Sequence, residues 1–211
     1  MSKKPQGPLA DVSGKDVTIT PAEHYDGWAK SYNEDLLNEY GYSAHKIASA
    51  AFAGIVTDRQ ASIIDVGCGT GLVGIELVEA GFTNVDGIDI SKNMLAEADE
   101  TGVYRKLIWQ DVEKDAEIAD GAYDAVISVG SFGIGHMGPQ AFGDLVRMAA
   151  PGGPVVIFMN AEPFVDENYT GHIDALEQAT VWNVDRIEDH NYMDALDRPG
   201  KLIIARRTPQ G

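Results

Sequence analysis

Ser62-Ile63-Ile64-Asp65-Val66-Gly67-Cys68-Gly69-Thr70-Gly71 is the stretch on which the reading of this chain turns. A short apolar run, the pattern of a buried strand, ends in an acid and breaks into alternating glycines. Leu72, Val73, Ile75, Leu77 and Val78 follow at helical spacing and stop near Gly81. A glycine at every second position lets the backbone approach a ligand closely, because no Cβ stands in the way. The amides that open the next helix favour negative charge. A second acid, Asp89, closes the strand-like run 84–88 and lies 24 positions after Asp65. A carboxylate about 20 residues beyond such a turn is the usual reader of ribose hydroxyls, so the expected guest is a nucleoside.

Outward from that bend, strand and helix alternate, which predicts an α/β fold with a mostly parallel sheet and helices on both faces. Strands are expected near 61–66, 84–89, 103–109, 122–129 and 153–159, and helices near 71–80, 91–100, 138–149 and 167–180. Ser91 is placed to cap the second of those helices. The finish differs. Strand-like runs near 182–192 and 201–207 are joined through Leu196-Asp197-Arg198-Pro199-Gly200, a turn too short for a parallel crossover, so the sheet should close with an antiparallel pair. Ahead of the bend, residues 1–20 read as a loose leader with Pro5, Gly7, Pro8 and Gly14. Thr20-Pro21-Ala22-Glu23 opens a helix with capping-box spacing. Tyr25, Trp28 and Tyr32 then fall along one helical face, and a further helix is expected over roughly 43–56. The division expected is therefore a leader (1–20), a helical N-terminal cap or lid (21–57) and a core (58–211).

The 211 residues suit one domain with a full core. Acids outnumber Lys plus Arg by 33 to 16, a formal charge of −17. That field repels the phosphates of nucleic acids and anionic membranes, and neither is expected as a partner. Cys68 is the sole cysteine, which removes intrachain disulfides and multi-cysteine zinc sites. No other metal-ligand spacing is present: His24, His45 and His190 read as surface or packing residues. With neither a signal peptide nor a membrane-spanning run in the sequence, the expected location is the cytoplasm.

Asp65-Val66-Gly67-Cys68-Gly69-Thr70-Gly71 resembles the first motif of the class I S-adenosylmethionine-dependent methyltransferases. The resemblance runs from about 21 to 207 and takes in Gly87-Ile88-Asp89-Ile90-Ser91, Gln110-Asp111-Val112, Tyr123-Asp124-Ala125-Val126 and Pro151-Gly152-Gly153. Tyr25-Asp26-Gly27-Trp28-Ala29-Lys30-Ser31-Tyr32 is similar to the aromatic opening of the small-molecule branch, and the pattern resembles most the methyltransferase-like group named for the Williams–Beuren chromosomal region. The resemblance implies a Rossmann-like seven-stranded sheet whose last strand is antiparallel. It also implies S-adenosyl-L-methionine as cofactor, S-adenosyl-L-homocysteine as product and in-line transfer of methyl to a small-molecule acceptor. Gly69-Thr70-Gly71-Leu72-Val73-Gly74 spells G-x-G-x-x-G as well, so a nicotinamide-dependent oxidoreductase stands as an alternative. An acid hard against the bend repels a pyrophosphate and suits an ammonium, which favours the sulfonium cofactor. A cofactor-binding protein with a non-methylating or regulatory role is the other alternative.

Under that resemblance Gly67, Gly69 and Gly71 pass beside the methionine part and ribose, and Asp65 serves the ammonium. Asp89 takes both ribose hydroxyls, Ile90 lies on the adenine, Asp111 accepts from the adenine amine and the Val112 amide donates to its ring. Ser128, Val129 and Gly130 end the fourth strand at the ligand edge of the sheet, and residues 131–137 should wall the acceptor pocket. His136 is the candidate base for an acceptor that sheds a proton; without that role it binds backbone. Tyr25, Trp28 and Tyr32 are either core of the helical preface or a lid touching the sulfonium. Asn160, Tyr169 and His172 follow the fifth strand on the acceptor side.

Overall fold

A computed structural model of the chain describes residues 20–114, 117–133, 136–166, 168–196 and 198–209. The expected leader lies, apart from Thr20, outside them. Thr20 opens helix α1 (Pro21–Glu34) with the reciprocal capping box its sequence called for: its Oγ1 accepts from the Glu23 amide at 3.3 Å, and Glu23 accepts from the Thr20 amide at 3.1 Å. A π-helical turn over Asp35–Glu39 follows, then α2 (Ala44–Ile55). Strand and helix then alternate as β1 (Ile63–Val66), α3 (Leu72–Glu79), β2 (Val85–Asp89), α4 (Lys92–Glu100), β3 (Lys106–Trp109), β4 (Ala125–Val129), α5 (Ala141–Met148) and β5 (Pro154–Asn160). Two short helices, α6 (Ala161–Asp166) and α7 (Tyr169–Gln178), lead into the hairpin β6 (Trp182–Asn191) and β7 (Pro199–Arg207).

The seven strands lie in the order β3-β2-β1-β4-β5-β7-β6. Only β7 runs against the rest, pairing antiparallel with β5 (Pro154 opposite Arg206, Asn160 opposite Gly200) and with β6. The antiparallel ending read from the short turn is therefore present. Central strands β1, β4 and β5 bury almost every side chain on both faces, which is why they read as unbroken apolar runs. One face packs under α1, α2 and α3 around Trp28, Phe52, Leu77, Phe82 and Phe158; the other packs under α5 and α7 around Phe132, Phe142, Tyr169 and Trp182. No helix among the described residues is long and apolar enough to cross a membrane.

Two elements were not legible. The π-helical turn widens the end of α1 so that Leu36 reaches the core, a change of pitch that apolar spacing does not announce. Helix α6 carries Pro163 in its first turn, where a missing N–H is tolerated, and the Asn160 side chain caps it by accepting from the Glu162 amide at 3.2 Å. The sheet order reverses between β1 and β4, and the crevice beyond their carboxyl ends is where such sheets bind ligands.

Candidate active site

The glycine bend after β1 uses each glycine for a different reason. All three have positive φ (+72°, +52° and +93° for Gly67, Gly69 and Gly71), so side chains there are strained whatever the space. A Cβ on Gly67 would sit 2.0 Å from Ser131 Oγ, so this residue lets the bend and the loop after β4 close on each other. A Cβ on Gly71 would press on the Tyr104 ring at 3.2 Å. Gly69 alone faces open space, on the wall of the larger cavity.

Two acids frame the bend. Asp89, at the end of β2, accepts from the Gly69 amide and from the Ser91 amide, each at 2.8 Å, and so fixes the bend against the start of α4. Burial raises its carboxyl, while bonds from the Ser91, Gly69 and Ile90 amides pull it back down. A carboxylate has about four acceptor positions, so both oxygens keep capacity for a guest's hydroxyls. Asp65 is fully buried. Its Oδ2 accepts from the Tyr104 hydroxyl at 2.6 Å, and Tyr104 in turn accepts from the Gly74 amide at 3.2 Å. Its Oδ1 has no partner among the described residues. Burial pushes this carboxyl up to about 7; the Tyr104 bond opposes that and the charge of Asp89 adds to it. Asp65 and Gly71 line neither cavity; a buried carboxylate oxygen without a partner beneath the glycine bend fits a cationic group such as the ammonium of S-adenosylmethionine held through that bend.

The larger cavity, about 450 Å³, runs from Gly67 and Gly69 past Asp89 to Gln110, Asp111 and Val112, and back along Gly130, Ser131 and Met137. Ile88, Ile90, Met94 and Val112 give it an apolar slot at the end where an adenine is expected. Asp111 stands on that wall with both oxygens engaged: Oδ1 accepts from the Glu113 amide at 3.0 Å and Oδ2 pairs with Lys114 at 3.0 Å. Trp109, 59% exposed, donates to the carbonyl of the lining residue Ile90 at 2.9 Å while Lys92 sits 3.8 Å above its ring. These groups suit a nucleoside with an attached amino acid. Among the described residues no three acids, histidines or cysteines gather as a metal site.

A second, narrower cavity of about 90 Å³ abuts the first, and Tyr25, Tyr32, Gly130 and His136 line both. Tyr25 Oη and His136 Nε2 are 2.5 Å apart, so a phenol and an imidazole are joined at the boundary. Burial lifts the Tyr25, Tyr32 and Tyr42 hydroxyls above their ordinary range, which keeps these phenols neutral. Trp28 lines the narrower cavity alone, its indole N–H donating to Asp35 at 2.6 Å, whereas Tyr25 and Tyr32 line the larger cavity as well. Ser128 is also displaced from expectation. Strand alternation turns it inward, where it is fully buried and donates to the Val66 carbonyl at 2.7 Å, off both cavity walls. Phe132 and Gly133 wall the narrower cavity and Ser131 and Met137 the larger; Ile134 and Gly135 lie outside the described residues. Asn160 reaches the narrower cavity, whereas Tyr169 is core that donates to the Met137 carbonyl at 3.0 Å, and His172 bonds the Asn168 carbonyl. His24 and His45 are buried packing residues, the latter with its imidazole pushed down by burial to about 4.

Helix α1 is pinned over these cavities at two points. Asp26 accepts from Ser91 Oγ at 2.5 Å and from the Asn93 amide at 3.1 Å, and its carbonyl accepts from Asn93 Nδ2 at 3.0 Å. Seven residues on, Asn33 Oδ1 accepts from Thr70 Oγ1 at 2.6 Å. The roles of Tyr104 and Asp26 were missed in the sequence because their partners lie 39 and 65 residues away; Asp26 falls inside the aromatic opening, but nothing local to it points to α4.

Residues 63–153 match the family described as "Methyltransferase domain". Over 164 residues the sequence is 32% identical to human methyltransferase-like protein 27, a stretch covering 75% of this chain and 66% of that protein. The chain belongs to the class I S-adenosylmethionine-dependent methyltransferases. The fold of this methyltransferase also matches solved structures at low identity. The [4+2]-cyclase SpnF superposes with a TM-score of 0.69 at 17% identity, covering 89% of this chain and 94% of that one. An S-adenosylmethionine-dependent methyltransferase from Mesorhizobium loti gives 0.57 at 19% identity, covering 77% and 100%. These two likenesses show the shared fold alone.

Proposed function

We propose that this methyltransferase transfers methyl to a small-molecule acceptor, with cofactor in the larger cavity and acceptor in the narrower one. The observation that carries the reading is the shared boundary of Tyr25, Tyr32, Gly130 and His136 between two cavities of unequal size. S-adenosylmethionine, when bound, supplies a methyl group already activated on a sulfonium. The chain's work is then alignment, exclusion of water and disposal of a proton. Gly130 leaves the boundary unobstructed; its φ is +75°, and a Cβ there would stand 3.2 Å from Tyr42 Oη. His136, oriented by the Tyr25 hydroxyl, receives the proton of an oxygen or nitrogen acceptor. Asp65 serves the ammonium, Asp89 the ribose hydroxyls, and Ile90, Asp111 and Val112 the adenine. Residues 21–57 act as a cap over the core. The charge of −17 supports a small acceptor over a nucleic acid.

Calorimetric titration with S-adenosylhomocysteine and with a nicotinamide dinucleotide, followed by a labelled-methyl assay, tests the reading. Asp89→Ala is expected to weaken S-adenosylhomocysteine binding at least tenfold. His136→Gln is expected to leave that binding within twofold and to slow turnover 10²–10⁴-fold, the usual weight of a general base. Tight dinucleotide binding, or an Asp89 variant of unchanged affinity, overturns it. A second reading, a cofactor-binding protein of non-methylating chemistry, draws on the likeness to the SpnF cyclase. It predicts cofactor binding with no methylated product in any small-molecule pool.

A further inference from the structure

The lining of the narrower cavity is chemically mixed. Tyr25 and His136 stand where it meets the larger cavity; Asn160, Glu162, Tyr192 and Arg198 line the narrower cavity alone, with Trp28, Tyr42, Phe132 and Phe158 among the aromatic residues that share it. Arg198 is the one Lys or Arg among the described residues lining this cavity, in a chain where acids outnumber bases two to one. It is half-buried and set on a firm base. Its carbonyl accepts from the Tyr192 amide at 3.2 Å, and two residues on Gly200 pairs with both Asn160 and His190 across β7. The charges of Arg198 and Glu162 both act on the Tyr192 hydroxyl, in opposite senses, beneath the larger effect of its burial.

A guanidinium among aromatic walls is matched best by a planar anion that takes two parallel N–H bonds. Glu162 on the same wall and the negative field of the whole chain disfavour a doubly charged phosphate. The size of the cavity, well under the roughly 300–1,000 Å³ of ordinary ligand clefts, limits the guest to a compact one. We infer that the methyl acceptor is a small monocarboxylate, its acid group held by Arg198 and its nucleophilic atom presented at the Tyr25–His136 boundary. This rests on the methyltransferase reading above and names the substrate class for the same site.

The test uses the full chain and a small-molecule extract divided on an anion exchanger into retained and unretained pools. With labelled-methyl cofactor, label is expected in the retained pool and is lost once that pool's carboxylates are converted to amides. Acetate is expected to inhibit competitively, and acetamide at equal ionic strength is not. Arg198→Gln is expected to raise KM for the retained pool at least tenfold while kcat and S-adenosylhomocysteine affinity by calorimetry stay within about twofold; Arg198→Lys recovers part of the loss. Label confined to the unretained pool, label that survives amidation (a phosphate or sulfonate acceptor), or an Arg198→Gln variant of unchanged KM overturns the inference. Intact S-adenosylhomocysteine binding with label in neither pool overturns the methyltransferase reading beneath it.

Discussion

Asp65 concentrates the residue-scale chemistry. Its folded carboxyl, held by burial at about 7, lies above the ordinary value of 3.8, so between these pH values the folded chain keeps a proton that the unfolded chain gives up. The contribution of this group to the stability of the cofactor-free protein therefore falls as pH rises through that window, by roughly 2–4 kcal/mol, and is flat above it. His45, pushed down by burial to about 4, acts in the opposite sense below its ordinary 6.5, and Asp89, raised by burial, acts in the same sense. The Asp65 share is therefore read as the difference between wild type and Asp65→Asn in urea denaturation from pH 4 to pH 8: the variant is expected to lose that part of the decline. An ammonium beside Oδ1 favours the charged form, so cofactor binding near pH 7 is expected to release a proton. Calorimetry in buffers of different ionisation enthalpy measures this directly, and Asp65→Asn should abolish the release. Asp65, Asp89 and the three glycines were legible because they form one local pattern. The Tyr104 hydroxyl that holds Asp65 was not, since only the fold brings the loop before β3 back to the bend.

At the scale of elements, α1 is the piece whose attachment matters most. Asp26 fastens one end to the start of α4, and Asn33 fastens the other to Thr70 beside the glycine bend, with Tyr25 and Tyr32 facing the cavities between. Each hydrogen bond contributes about 0.5–1.5 kcal/mol net. Asp26→Ala should therefore loosen the helix without unfolding the sheet, because the Ser91 hydroxyl still accepts from the Met94 amide to cap α4. Stopped-flow measurements with S-adenosylhomocysteine should show association and dissociation both faster, by several-fold up to about tenfold, with little change in thermal midpoint. Unchanged rates in both directions would remove α1 as a gate. The existence of α1 was plain from the Thr20–Glu23 spacing and the aromatic stripe, but the stripe alone left core and lid open. The structure separates the three by position: Trp28 donates to Asp35 and lines the narrower cavity, while Tyr25 and Tyr32 pack on the core and line both cavities.

For the whole molecule, the charge of −17 acts on everything that enters. S-adenosylmethionine carries a net positive charge near neutral pH and S-adenosylhomocysteine carries none, so the field favours the donor over the spent product. Raising ionic strength from about 0.01 to about 0.15 M contracts the screening length from about 30 to about 8 Å. The ratio of the two affinities should fall over that range, while kcat/KM for a carboxylate acceptor should rise. Competition binding and steady-state rates at the two salt levels check both; a ratio independent of salt would mean that local contacts alone set the preference. The sheet was largely legible at this scale, from alternation of elements through to the antiparallel finish. The pairing of two cavities was not. Its walls come from α1, the loop after β4, the end of β5 and the residues before β7, and no single segment carries the sign of it.

The three tryptophans are set apart: Trp28 on the narrower cavity, Trp109 on the surface and bonded to the carbonyl of Ile90 in the wall of the larger one, and Trp182 sealed in the opposite core. Trp109 sits in water and emits toward the red, whereas Trp28 is shielded and emits toward the blue. The chain thus has its own optical readout, in which the red side of one spectrum follows the surroundings of Ile90 and the blue side follows the narrower chamber over a constant background from Trp182.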